Sequence, residues 1–193
     1  MITSPTQKKE ARKQQARTLR VVRKIHRVTG VLLFLFFFIV GLSGILLGWK
    51  KHSGNLLLPK TYSGISKNPN DWLSIDSLQK KAVKLLRDSC GESLSSDLDR
   101  IDFLPDKGSV KFIFVDHYWE IQLDATSGHL LHIGRRNSDL IERIHDGSII
   151  DINLINNKGI FKVVYTSIMG LSLILFTITG FWLWYGPKLM RRN

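Results

Sequence analysis

One cysteine, Cys90, stands in 193 residues. A lone thiol can form neither an internal disulfide nor, from one chain, a thiolate metal cluster, and its ordinary reading is a small buried apolar side chain. Acid is scarce at both ends. Residues 1–27 hold one Glu against nine Lys and Arg, and the last six hold Lys188, Arg191 and Arg192 with no acid. Residues 50–160 hold fifteen basic and fifteen acidic side chains, so the net charge of +12 resides almost wholly in two tails. A nucleic-acid interface needs cations spread over a folded face with aromatic residues among them, so no nucleic-acid partner is expected. No serine has a G-x-S-x-G setting, and "KNPNDW" and "LINNKG" are turn-rich rather than phosphate cradles. No catalytic constellation emerges, and the chain reads as non-catalytic.

Charge is absent altogether from residues 28–49 and 163–185. Twenty-two residues at ~1.5 Å rise give about 33 Å, enough to cross a hydrocarbon core, and the second run is one residue longer. A cleaved leader would have a shorter apolar part ending in small residues; this run ends in Gly48-Trp49-Lys50-Lys51. The basic tail 1–27 is expected to stay cytoplasmic, and two spans return the basic tail 186–193 to the same side. That leaves 50–160 extracytoplasmic and places the chain in a bacterial inner membrane as a two-pass protein in contact with lipid. Trp49, Trp182, Trp184 and Tyr185 read as interfacial anchors. Gly41, Gly44 and Gly48 recur three and four apart, and Gly170 and Gly180 thin the second span. Those glycines are candidates for close packing of the spans or for a homodimer.

The segment between the spans changes period along its length. "SIDSLQKKAVKLLRDSCG" places Leu78, Ala82, Leu85 and Leu86 on one helical face, with Ser74 or Asp76 as N-cap and Gly91 to end it. "RIDFL", "SVKFIFV", "YWEIQLD" and "HLLHI" then read as short strands, separated by "PDKG", "DH" and "ATSG" turns. The expected fold is α+β: a helix on an antiparallel meander between two transmembrane helices, with a further short helix in "NSDLIERIHDGSIID".

The run Asp124-Ala-Thr-Ser-Gly128-His-Leu-Leu resembles the last hairpin of the PepSY domain. "KIHRVTG…GLSGILLGWKK" and "LIERIHDGSII…GLSLILFTITGFWLWYGP" resemble the flanking helices of PepSY-associated transmembrane proteins. The resemblance covers roughly residues 20–190. It implies an extracytoplasmic binding module for a peptide, a peptidase or an envelope partner. It implies equally a relationship to larger ferric-siderophore reductases that hold haem b through membrane histidines, and so to iron uptake.

Six histidines bear on that choice: His26, His52, His117, His129, His132 and His145. Residues 161–193 contain none, and His26 and His145 belong to opposite edges of the membrane, about 30 Å apart, so they cannot share one iron. Haem b is therefore open to this chain only as a homodimer, with His26 facing its twin; otherwise His26 is an interfacial histidine beside Lys24 and Arg27. His129 and His132 point to opposite faces of a strand, and no metal site is expected. The first expectation is accordingly a cofactor-free binding module. Its candidate surface is the exposed sheet face and the hairpin of Asp124, Thr126 and Gly128. A haem subunit of a reductase and an assembly factor for a membrane complex are the alternatives.

Overall fold

The computed structural model describes residues 5–151 and 159–192. The chain divides into two compact units, one of residues up to Ser43 and from Ile144 onward, the other of Gly44–Arg143.

In the first unit two helices dominate. Helix α1 runs unbroken over Pro5–Gly48, so the basic segment 5–27 is helical and continuous with the apolar run. Helix α5 runs over Ile160–Arg192. Both are long and apolar enough to cross a membrane, and their most apolar windows are almost wholly exposed, as lipid-facing helices must be. Pro187 falls inside α5 near its C-terminal end, where it cannot donate to the carbonyl four residues back. Both carboxylate oxygens of Asp151 accept backbone N–H groups at the start of α5, from Phe161 at 3.0 Å and Lys162 at 2.9 Å. This satisfies donors that a helix N-terminus leaves orphaned.

The second unit is the α+β domain. Helix α2 (Ile75–Cys90) is opened by Ser74, whose hydroxyl accepts the Ser77 N–H, and closed at Gly91. Four strands follow as an antiparallel meander in sequential order: β1 (Leu98–Leu104), β2 (Ser109–Phe114), β3 (Trp119–Asp124) and β4 (Leu130–Arg135). Val110 pairs with Leu123 and Phe112 with Ile121, so these side chains share one face, onto which Leu78, Ala82 and Leu86 of α2 pack. Partly buried Cys90 packs against the same core, and burial pushes its thiol up, away from reactivity. After β4 comes α3 (Asn137–His145), and the single turn α4 (Ser148–Ile150) that follows belongs to the first unit.

In the two central strands the opposite face of the sheet is not exposed. All six residues of β2 are buried, and five of six in β3. Residues 57–66 form a strap across this face, and its backbone is satisfied partly by side chains and partly by backbone, the Gly64 N–H donating to the Lys107 carbonyl at 2.7 Å. Gln122 accepts the Tyr62 N–H at 3.1 Å and donates to the Lys60 carbonyl at 2.8 Å. Asp124 accepts the Ile65 N–H at 2.9 Å, and Ser109 donates to the Tyr62 carbonyl at 3.1 Å. Gly64 lets strap and sheet meet: a Cβ there would lie 2.1 Å from the Gly108 carbonyl oxygen. The expected free sheet surface is thus corrected, since a loop reading of the strap's sequence carries no sign that it folds back over the strands.

Beneath the strap lies a buried ion network. Glu120 is 0% exposed and accepts from Lys111 at 3.1 Å, Gln122 at 2.6 Å and Arg136 at 2.5 Å. Arg136 also bonds Asp139, at 2.9 Å, which Arg100 reaches from β1 at 3.0 Å. Burial alone would raise the Asp139 carboxyl, but hydrogen bonds from Arg136 and Arg100 outweigh it and hold the pKa below 3.8. Buried charge is tolerable only with this degree of mutual satisfaction.

Candidate functional site: two clamped histidines

The helix pair carries two polar contacts of one design. His26 on α1 meets Thr179 on α5, with 2.8 Å between Nδ1 and Oγ1. His145, at the end of α3, meets Ser43 on α1, with 2.9 Å between Nδ1 and Oγ. Both hydroxyls are nearly buried, Ser43 at 5% and Thr179 at 7% exposed. Each hydroxyl also donates back to its own helix, Thr179 to the Leu175 carbonyl at 2.7 Å and Ser43 to the Ile39 carbonyl at 2.6 Å. A hydroxyl has one proton. Where that proton stays on the carbonyl, the oxygen is an acceptor, and a neutral imidazole in the Nδ1–H tautomer donates to it. The neutral ring then has a bare Nε2 lone pair, and neither Nε2 makes a hydrogen bond among the described residues. A bare Nε2 with Nδ1–H held by an oriented acceptor is the form in which imidazole ligates a metal.

The surroundings differ at the two ends. His26 stacks on Phe176, and its Cε1 lies 3.5 Å from where a Gly180 Cβ would sit. This places His26 against the partner helix rather than free among headgroups. His145 lines an apolar cavity of about 350 Å³ with Phe37, Gly41, Tyr165, Met169 and Gly170 among its walls. Beside it, Asp146 binds Lys162 at 2.5 Å. Burial would raise that carboxyl, but the hydrogen bonds from Lys162 and Ser148 outweigh it and hold it below its ordinary value.

The glycines divide by role. A Cβ at Gly30 would lie 3.1 Å from Phe176, and one at Gly186 would lie 2.7 Å from Leu19. Gly180 is in ordinary contact with His26, whereas Gly41, Gly48 and Gly170 meet nothing within 4 Å. Gly41 and Gly170 thus hold a cavity open instead of joining the helices. Small residues permit close approach without compelling it, and here His26–Thr179 joins α1 to α5 while Ser43–His145 joins α1 to the end of α3.

The hairpin candidates are committed to structure. Asp124 accepts the N–H groups of Thr126 at 2.7 Å and Ser127 at 3.1 Å, besides that of Ile65. Gly128 adopts φ +70, and a Cβ there would crowd Lys81, whose ammonium donates to the Ser127 carbonyl. The Thr126 hydroxyl is buried without a hydrogen-bond partner among the described residues. Of the other histidines, His117 bonds the Ser95 carbonyl and His132 packs on Tyr62. No group of three or more His, Cys, Asp or Glu able to hold a metal occurs among the described residues.

Sequence reasoning singled out His26, set His145 at the opposite edge, and missed Ser43, Thr179 and Phe176. The available signal was slight: each hydroxyl lies inside a charge-free run and precedes a glycine, in "GLSG" and "TITG". The family model described as PepSY-associated TM region matches residues 23–192, which takes in both histidine clamps. No curated protein and no solved structure matches the chain.

Proposed function

The chain belongs to the PepSY-associated TM region family, and from that premise we propose that it is a haem-b-holding subunit of a metal reductase, working as a homodimer in a bacterial inner membrane. The observation that carries this reading is the pair of histidines, each with Nδ1 on a nearly buried hydroxyl that also donates to its own helix, and with no hydrogen bond at Nε2 among the described residues. Each iron would take one imidazole from either copy. His26 and Ser43 are seventeen residues apart on α1, about 26 Å, so the two imidazoles serve separate irons. The open apolar cavity at His145, with Gly41 and Gly170 in its wall, suits a flat apolar group. Bound haem supplies one-electron redox chemistry. The protein's own part is to hold each ring in one tautomer and to exclude water. Both termini lie in the cytoplasm in this reading, and residues 50–160 face the periplasm.

The test is an optical spectrum of detergent-purified full chain from haem-supplied cells. A Soret band is expected, diminished by His26→Ala and by His145→Ala separately and absent from the double variant. Colourless protein overturns the reading.

A second reading, the binding module for a peptide or envelope partner, is favoured by one feature. A shallow cleft of about 410 Å³ lies between α2 and the hairpin end, lined by Lys81, Lys84, Asp88, His129 and Leu130. It would suit an acidic or C-terminal peptide group. Native-membrane cross-linking from an introduced Lys84→Cys would capture such a partner, and no capture counts against this reading.

A further inference from the structure

Six cations of α1, Lys9, Lys13, Arg17, Arg20, Lys24 and Arg27, follow one another at intervals of four, four, three, four and three residues. At ~100° per residue they fall within an arc of about 80°, and Lys9 and Arg27 lie directly in line after five turns. All six are exposed. None is paired with a carboxylate among the described residues, and Glu10 is the only acid in the segment. Leu19, buried against Gly186, lies on a different face, so the row points away from α5. The result is a single file of positive charge repeating every ~5.4 Å along a rigid rod.

Membrane orientation does not require so long a row. The polar layer beyond the hydrocarbon core is roughly 5–7 Å deep, and charge is screened over about 8 Å at physiological salt. Arg20, Lys24 and Arg27 stand within that reach of Val28, where the apolar run begins. Lys9 is nineteen residues from it, about 28 Å along the axis, with Lys13 and Arg17 at about 22 and 16 Å. A headgroup does not reach the outer three. A nucleic acid would be met by a broader basic face with aromatic residues for stacking, and the first aromatic of the chain is Phe34.

We propose that this row is a docking surface for an acidic α-helix of a soluble protein. The repeat of the row is the pitch of an α-helix, so a helix with carboxylates at every third and fourth position along one side matches it cation for anion over five turns. The inference stands on α1 alone and does not need haem.

The test uses full-length protein in zwitterionic nanodiscs and two labelled Ala-based peptides of about 18 residues, five turns long. One carries glutamates along one helical face, and the other carries the same glutamates scattered around all faces. The striped peptide should bind about tenfold more tightly than the scattered one, and the binding should weaken with salt. Lys9→Glu, Lys13→Glu and Arg17→Glu together should abolish it. An equal charge change at exposed Lys67, Arg87 and Lys107 should leave it within about twofold. Equal affinity for the two peptides overturns the proposal, as does equal loss in the control variant. So does tighter binding of duplex DNA of the same length, or binding only when phosphatidylglycerol is in the disc.

Discussion

The imidazole of His26 lies on the ring of Phe176, centroids 3.9 Å apart and planes 26° from parallel, while its Nδ1 is held by Thr179 one turn further along α5. Stacking fixes the ring plane and the hydroxyl fixes its rotation and tautomer, so the ring has one orientation left. That degree of constraint is what a metal-ligating imidazole needs from its neighbours.

Thr179→Val keeps the shape and removes the acceptor. Haem affinity at the His26 level should fall about 10–100-fold, read as Soret absorbance per chain on haem titration, with Thr179→Ser restoring it. In protein without haem, ¹⁵N spectra of the imidazole should show the Nδ1–H tautomer in the wild type and a tautomer mixture in Thr179→Val. An unchanged tautomer refutes the role given to the hydroxyl.

Gly170→Leu should fill the cavity beside His145 and leave the fold intact, because nothing lies within 4 Å of a Cβ built there. The expected outcome is unchanged thermal unfolding together with loss of haem at the His145 level. The same substitution at Gly186, where a Cβ would lie 2.7 Å from Leu19, should destabilise the helix pair instead.

Glu120→Gln leaves Lys111 buried without its counter-charge and Arg136 with Asp139 alone. Breaking a buried ionic pair by removing one partner costs about 3–5 kcal/mol, which denaturant titration of the full chain in detergent would register. Loosening should start at the strap, as faster amide exchange at Tyr62 and Ile65, whose N–H groups depend on Gln122 and Asp124.

Acid should release the same network. The Asp139 carboxyl is held below 3.8 in the folded protein, so its contribution is complete above 3.8 and is lost as pH falls through the lower folded value. Unfolding followed by near-ultraviolet dichroism should therefore steepen below about pH 4, and Asp139→Asn should flatten that limb while lowering stability at neutral pH.

The core was readable because its signals are local. Val110, Phe112 and Phe114 alternate, Leu78, Ala82 and Leu86 recur at helical spacing, and both patterns meet in the core found. The strap was not readable. Residues 57–66 contain Pro59 and Gly64 and look like a loop, and they are a loop, but one whose backbone is completed by Gln122 and Asp124 about sixty residues away. For the same reason Asp124 looked available to a ligand when it was building a turn.

By itself the sequence determined two apolar helices, the confinement of the excess positive charge to the chain ends and an α+β segment between them, because composition and periodicity are properties of neighbouring residues. Only the tertiary structure decided that Thr179 meets His26 across 153 residues and Ser43 meets His145 across 102. A hydroxyl inside an apolar helix can satisfy itself on its own backbone, so nothing local distinguishes one that also holds an imidazole; that is settled by which faces the two helices bring together.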